Sequence, residues 1–188
     1  MNGYIYTLYE GADPGHGWVL NDPIFGKKPT LGACVPNIRR HVKLGDWIFA
    51  ISGRVAGERQ YVVGGFQVEE KIDQLAALAR FPENQVRMEG GQVVGNVIVD
   101  EFGNQHPVDK HSNFERRLEN FLIGGDAVEL STPQQVAAGR TQTLAKLTEI
   151  FGRPGNRPYD IIGRARKMDE EQVVHLRDWL DGIRAAHP

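Results

Sequence analysis

Asn37, Arg39, Arg40 and Lys43 place an amide, two guanidinium groups and an ammonium in one short stretch, and Trp47 and Phe49 follow directly. An amide donates to and accepts from the edge of a nucleobase at the same time. A guanidinium grips phosphate through parallel N–H donors, and an indole offers a stacking face at ~1–3 kcal/mol per base. No nucleophile stands out between Asn37 and Ser52. The chemistry this stretch can do is recognition of a base and its phosphate. The same residue types also have a plain structural use. Cations in the last turn of a helix offset its dipole by ~0.3–1 kcal/mol, and aromatics on a strand commonly fill a core.

Other chemistry-bearing residues lie outside this stretch. Gly15-His16-Gly17-Trp18 reads as a flexible aromatic loop able to close over a ligand, with Lys27 and Lys28 close behind as phosphate contacts. From Lys27 to Arg59 there are seven basic residues against two acidic ones, and from Arg153 to Lys167 five against one. Asp13, His16, Asp22, Asp46 and Asp109 are available as acids or bases, yet no paired carboxylates and no Ser-His-Asp order stand out. Asp46 is most simply a turn residue. His106, Asp109 and His111 offer two imidazoles and a carboxylate, but Pro107 breaks the helical spacing of a zinc pair, so no metal site is expected. No cofactor is expected either, and no catalytic residue is assigned.

The composition bounds the rest. The chain has 188 residues, 40% hydrophobic and 24% charged, enough for one good-sized core in an ordinary globular protein. Its net charge of −2 gives no global pull toward nucleic acid, so any attraction comes from local basic patches. Cys34 is the single cysteine, which excludes an intramolecular disulfide and a thiolate zinc site. No signal peptide and no apolar run of spanning length is recognisable. A cytoplasmic protein with no membrane partner is the expectation; the oligomeric state is open.

The elements that must position these residues follow from patterning. Gly3 to Tyr9 reads as a strand, followed by a long Gly- and Pro-rich loop. Pro36 is placed as the first residue of a short helix through Lys43. Trp47–Ser52 and Arg59–Val68 read as strands, the second bent or bulged at Gly64-Gly65. Lys71–Arg80 reads as a short helix. Gln92–Phe102 is either one strand or a hairpin turning at Gly95-Asn96. Ser112–Leu122 reads as an amphipathic helix opened by a Ser112…Glu115 capping box, and Ala127–Leu130 as a short strand. Thr141–Phe151 and Glu170–Ala186 are the most secure helices. The last has Asp169 as its cap and Val173, Leu176, Leu180 and Ile183 as its apolar stripe. Gly152–Pro158 is too short to separate two domains. Strands interspersed with peripheral helices give an α+β chain, read as a single domain over 1–188.

Asn37-x-x-Arg40-x-Val42-Lys43-x-Gly45-Asp46, with the aromatic strand that ends in Ser52, resembles a motif of EVE domains in the PUA-like superfamily, which also holds the YTH and ASCH domains. Tyr61-Val62-Val63-Gly64-Gly65-Phe66-Gln67-Val68 resembles a strand of the same fold. The runs Tyr4-Ile5-Tyr6, Gly32–Arg40 and Gly45–Ala50 are similar to a nucleotide modification associated domain family (type 2). The resemblance covers about residues 3–70. It implies a small, curved, PUA-like β-barrel with peripheral helices and a helical C-terminal region. It also implies a concave basic face that binds DNA or RNA, with Asn37 and Arg40 bordering a pocket for a modified base. Ala50-Ile51 departs from the aromatic-histidine pair usual in EVE domains.

The expected function is therefore a binding module that reads a nucleobase. Arg39, Arg40, Lys43, Lys27 and Lys28 would hold phosphates, and Asn37, Trp47, Trp18 and His16 would form the pocket and its clamp. The alternative is an enzyme acting on a modified nucleotide, a glycosylase or hydrolase, with an Asp of the Asp13–His16 segment or the long loop as base. A third option is a protein-interaction module.

Overall fold

The computed structural model describes residues 1–188. In chain order the strands and helices are β1 (Gly3–Thr7), β2 (Thr30–Leu31), α1 (Pro36–His41), β3 (Trp47–Ile51), β4 (Val62–Ile72), α2 (Gln74–Arg80), β5 (Arg87–Glu89), β6 (Gln92–Val94), β7 (Phe121–Glu129), α3 (Pro133–Phe151), α4 (Pro158–Ile162), β8 (Ala165–Met168) and α5 (Glu170–Ala186). Six strands form one mixed sheet in the order β2-β7-β4-β3-β1-β8, and β5 and β6 form a separate hairpin. The fold is α+β. The sheet order runs from β2 to β8 without returning on itself, and no closed barrel is found.

The chain divides into two compact units, each built from separated segments: 1–18, 45–67 and 126–188 form the first, and 19–44 with 68–125 the second. In the first, β1 lies parallel to β3, with Ile5 opposite Phe49. Strand β4 runs antiparallel to β3, and its register shifts between Ala50 and Ile51, where Val63 becomes the extra residue. The expected bulge therefore falls beside Gly64. Thr143 of α3 accepts the Val62 N–H at 3.0 Å there. Helix α3 begins at Pro133 rather than Thr141, because Thr132 and Gln135 complete a capping box. Helix α5 keeps its expected cap at Asp169 and buries Val173, Leu176, Leu180 and Ile183, all on one stripe. Asp46 is a turn residue in fact: its carboxylate accepts the Asn2 N–H at 2.9 Å, and Gly45 turns the chain at φ +84°.

In the second unit, Ala77, Val97, Val99, Phe121 and Ile123 form one apolar cluster, and Ala33, Val86 and Ile98 another. Two expectations fail here. The hairpin turns at Gly90-Gly91, both at positive φ, so that Met88 faces Val93. Two left-handed residues match the twist of paired strands, whereas Asn96 is buried. Ser112–Leu122 is not a helix. Asn113 and Asn120 both adopt positive φ, a single 3-10 turn spans Phe114–Arg117, and Phe121 already belongs to β7. Backbone carbonyls that a helix would have used are taken elsewhere: Leu118 accepts the Gln74 N–H at 2.8 Å.

Candidate functional site

Helix α1 in the second unit is fixed from below by charged side chains. Arg39 is fully buried. Its Nε donates to the Cys34 carbonyl at 2.9 Å, and its Nη1 to the carbonyls of Glu119 and Asn120, each at 2.9 Å. Arg117 donates to the Ala33 carbonyl. Lys71 caps the far end of the helix, donating to the Arg39 and Arg40 carbonyls at 2.7 and 3.3 Å. A buried carboxylate holds the approach to α1. Asp22 accepts the N–H groups of Gly32 at 2.8 Å, Ala33 at 2.9 Å and Cys34, and also the Asn96 amide at 3.0 Å. Between this turn and Pro36, Val35 sits at φ +43°. A β-branched residue there stores strain of about 1–3 kcal/mol, which the contacts on both sides hold in place.

With its inner side so pinned, α1 exposes Asn37 and Arg40. Both line a cleft of about 440 Å³ together with Arg116, Glu115, Glu119 and Asn120. The lining thus offers two guanidinium groups, two carboxylates and two amides, donors and acceptors in balance. That suits the mixed edge of a heterocycle better than a bare anion. Arg116 was absent from the sequence expectation. Its only sequence signal is the pair Arg116-Arg117, in a segment whose helical reading was wrong.

The nine expected residues do not all behave alike. Arg39 was expected to contact phosphate; the structure corrects this, because its guanidinium is buried on three carbonyls and presents nothing to the surface. Lys43 and Lys27 are exposed, and Lys28, also exposed, pairs with Glu69 at 2.8 Å. Trp47, Trp18 and His16 belong to the first unit. Trp47 is buried at 2% exposure. Its ring stacks on Phe49 at 5.5 Å, and Arg177 lies 5.8 Å from the ring centroid. Trp18 is half-buried, edge-on to Tyr9 at 5.4 Å. In the segment expected to act as a clamp, Pro14–His16 forms a 3-10 turn, and the Asp13 carbonyl accepts the N–H groups of His16 and Trp18. His16 stands 3.5 Å from Glu58.

The acid–base candidates are likewise occupied. Asp13 is fully buried and bound by Arg140 at 2.9 Å, so it is not placed to serve as the base of the enzymatic alternative. Asp22 carries the turn before α1. Burial, then the Asp22 charge beside it, push the Cys34 thiol far above the ordinary range, which disfavours the nucleophilic thiolate. Asp109 is gripped by His111 at 2.6 Å and Gln105 at 2.7 Å. Burial raises its carboxyl, but these hydrogen bonds outweigh burial and hold it below its ordinary 3.8. Such a group adds stability above its unfolded value and loses it as pH falls through the lower folded value. The melting-temperature gap between the wild type and Asp109→Asn should therefore be full at pH 6 and close as acid titrates the wild-type carboxylate below about 3.8. A gap that stays constant down to pH about 2.5 would contradict the assignment.

No helix is long and apolar enough to cross a membrane. Comparison of the chain with protein-family models, with curated proteins and with solved structures finds no match.

Proposed function

We propose that this chain is a nucleic-acid-binding module that reads a nucleobase, a modified one in keeping with its resemblance to the nucleotide modification associated and EVE-like PUA domains. The kinship in fold is part of the proposal. It draws support from β4, which follows β3 and carries its bulge at Val63, beside Gly64-Gly65. One observation carries the functional reading: Asn37 and Arg40, three residues apart on α1, line the same cleft as Arg116. In this arrangement Asn37 pairs with the base edge, and Glu115 or Glu119 accepts from an exocyclic amine. Arg40 and Arg116 meet the flanking phosphate or stack on the base plane. Lys43 and Lys27 add charge along the same unit.

The test is binding to a panel of modified and unmodified DNA and RNA oligonucleotides across a salt series, read by fluorescence anisotropy. Arg40→Glu combined with Arg116→Glu should weaken binding by at least ~ten-fold at low salt and lower the salt slope by about 1–2. Asn37→Ala should instead reduce the preference among bases while leaving the salt slope unchanged. Unaltered affinity of the double charge reversal at low salt would end this reading.

A further inference from the structure

One edge of the six-stranded sheet is β8, in the first unit, and it lies within the second basic stretch of the sequence, Arg153 to Lys167. Which way its backbone groups point follows from β1. The Leu8 N–H donates to the Ile51 carbonyl and the Trp47 N–H to the Asn2 carbonyl, each at 2.9 Å, so the even-numbered residues of β1 bond to β3. The odd-numbered ones bond to β8, as the Thr7 N–H does in donating to the Arg164 carbonyl at 3.2 Å. Ile5 therefore exchanges hydrogen bonds with Arg166, and Gly3 with Met168. Ala165 and Lys167 turn their N–H and C=O groups away from β1, and both residues are exposed. Nothing else in the chain bonds to these groups. They stand two residues apart, the spacing at which one further strand pairs.

The side chains along this edge are cationic and lack acidic partners. Arg164 and Lys167 are exposed and form no ion pair, and the same holds for Arg153. Arg166 lies over the Phe151 ring at 5.0 Å and donates to the Ile161 carbonyl at 2.9 Å, so it too meets no carboxylate. The neighbouring acids are occupied. Asp160 pairs with Arg157 at 3.1 Å, Asp169 accepts the Gln172 N–H at 2.9 Å, and Glu170 meets the Met1 ammonium at 3.6 Å. Only Glu171, in the first turn of α5, is unpaired. No proline and no bulge blunts β8, which leaves its cations as the protection of the edge. Antiparallel pairing with β8 of a second copy would set Arg164 against Arg166, Arg166 against itself or Lys167 against itself, according to register, and like charges opposed across strands are destabilising. A strand that carries carboxylates meets no such opposition.

We infer that β8 takes up an extended acidic segment of a partner protein as an added strand. The backbone of the segment meets the N–H and C=O groups of Ala165 and Lys167. Carboxylates three positions apart meet Lys167 on one face of the sheet and Arg164 on the other. The surface is independent of the nucleobase reading, because β8 belongs to the first unit and Asn37, Arg40 and Arg116 to the second.

The test uses the full chain, isotopically labelled, with the capped hexapeptide Val-Glu-Val-Thr-Glu-Val as probe. Amide chemical shifts give affinity, and amide hydrogen exchange gives pairing. The peptide should bind in the millimolar range or tighter. At saturation it should slow exchange at Ala165 and Lys167 by at least ~ten-fold and leave Arg166, already paired with Ile5, unaltered. The lysine counterpart, Val-Lys-Val-Thr-Lys-Val, should bind at least ~ten-fold more weakly, as should the acidic peptide N-methylated on its second and fourth amides. Ala165→Pro removes one outward N–H and no charge, and should cost the peptide at least ~ten-fold in affinity. Arg164→Glu combined with Lys167→Glu should do the same, with thermal melts to show that each variant folds; the N-methylated peptide makes the backbone test with the wild type even where the proline variant does not fold. A short oligothymidylate is the competing anion. No binding of the acidic peptide in the millimolar range overturns the proposal, as does equal binding of the N-methylated peptide or equal binding by the folded double variant. Protection of Ala165 and Lys167 by self-association or by oligothymidylate, in place of the peptide, overturns it as well.

Discussion

Arg39→Ala should cost about 3–5 kcal/mol of stability in the second unit, whereas Arg40→Ala, one residue away, should cost less than about 0.5. The asymmetry follows from where the two guanidiniums go. Arg39 supplies donors to the carbonyls of Cys34, Glu119 and Asn120. Truncation leaves these acceptors without donors, at about 1–3 kcal/mol for each one that stays buried, and adds a cavity the size of a long side chain. Arg40 is exposed, and its loss removes little that holds the chain together. Urea denaturation gives the totals. Amide hydrogen exchange at residues 35–41 and 118–123 shows whether the loss sits in the second unit, which matters because a chain of two units need not unfold in one step. Equal stability of the two variants would mean that Arg39 is not the pin between α1 and the 119–120 carbonyls. Nucleic-acid binding should invert the order: Arg40→Ala weakens it with the fold intact.

Why neighbouring arginines take opposite roles was not legible in the sequence. The partners of Arg39 stand 80 and 81 residues further along, and no local pattern marks a carbonyl as an acceptor for a distant side chain. What was legible was local. Pro36 announced α1, Asp169 and the Val173–Ile183 stripe announced α5, and Gly45-Asp46 announced the turn into β3. The Thr132…Gln135 capping box that starts α3 is a local signal of the same kind. Ser112–Leu122 failed for the opposite reason. Its capping pattern is present, but tertiary demands on the carbonyls of Leu118, Glu119 and Asn120 outweigh helix propensity.

The same distinction explains the site. Asn37 and Arg40 share a cleft because three residues is nearly one helical turn, a spacing visible in the sequence. Arg116 joins them only because Arg39 and Arg117 tie its segment to α1 and to the turn before it. A residue recruited by someone else's hydrogen bonds leaves no signal at its own position. The aromatic part of the expected pocket failed similarly. Trp47 is stacked on Phe49 inside the first unit, and both are buried, so the aromatic face of this strand fills the core.

The turn that delivers the chain to α1 carries the second large expected effect. Asp22→Ala should destabilise the second unit by about 3–5 kcal/mol, and Asp22→Asn should rescue little of it. One Asp22 oxygen accepts from Gly32 and Asn96, the other from Ala33 and Cys34. All four partners are donors, so a carboxylate satisfies them and an amide cannot. Whichever way Asn is turned, its NH2 group faces two N–H donors. A second readout comes from Cys34. Burial is the first cause of its raised thiol pKa, and the Asp22 charge and hydrogen bond add to it, while Arg117 and Arg39 pull the other way. Without the Asp22 charge, and with the turn loosened, the thiolate forms more readily. Labelling of Cys34 by a disulfide reagent at pH about 8 should be slow in the wild type and markedly faster in both variants. If Asp22→Asn instead matches the wild type in both stability and labelling, the carboxylate is not what gathers the three N–H groups. Val35 would then need another explanation for holding φ +43° at the entrance to α1.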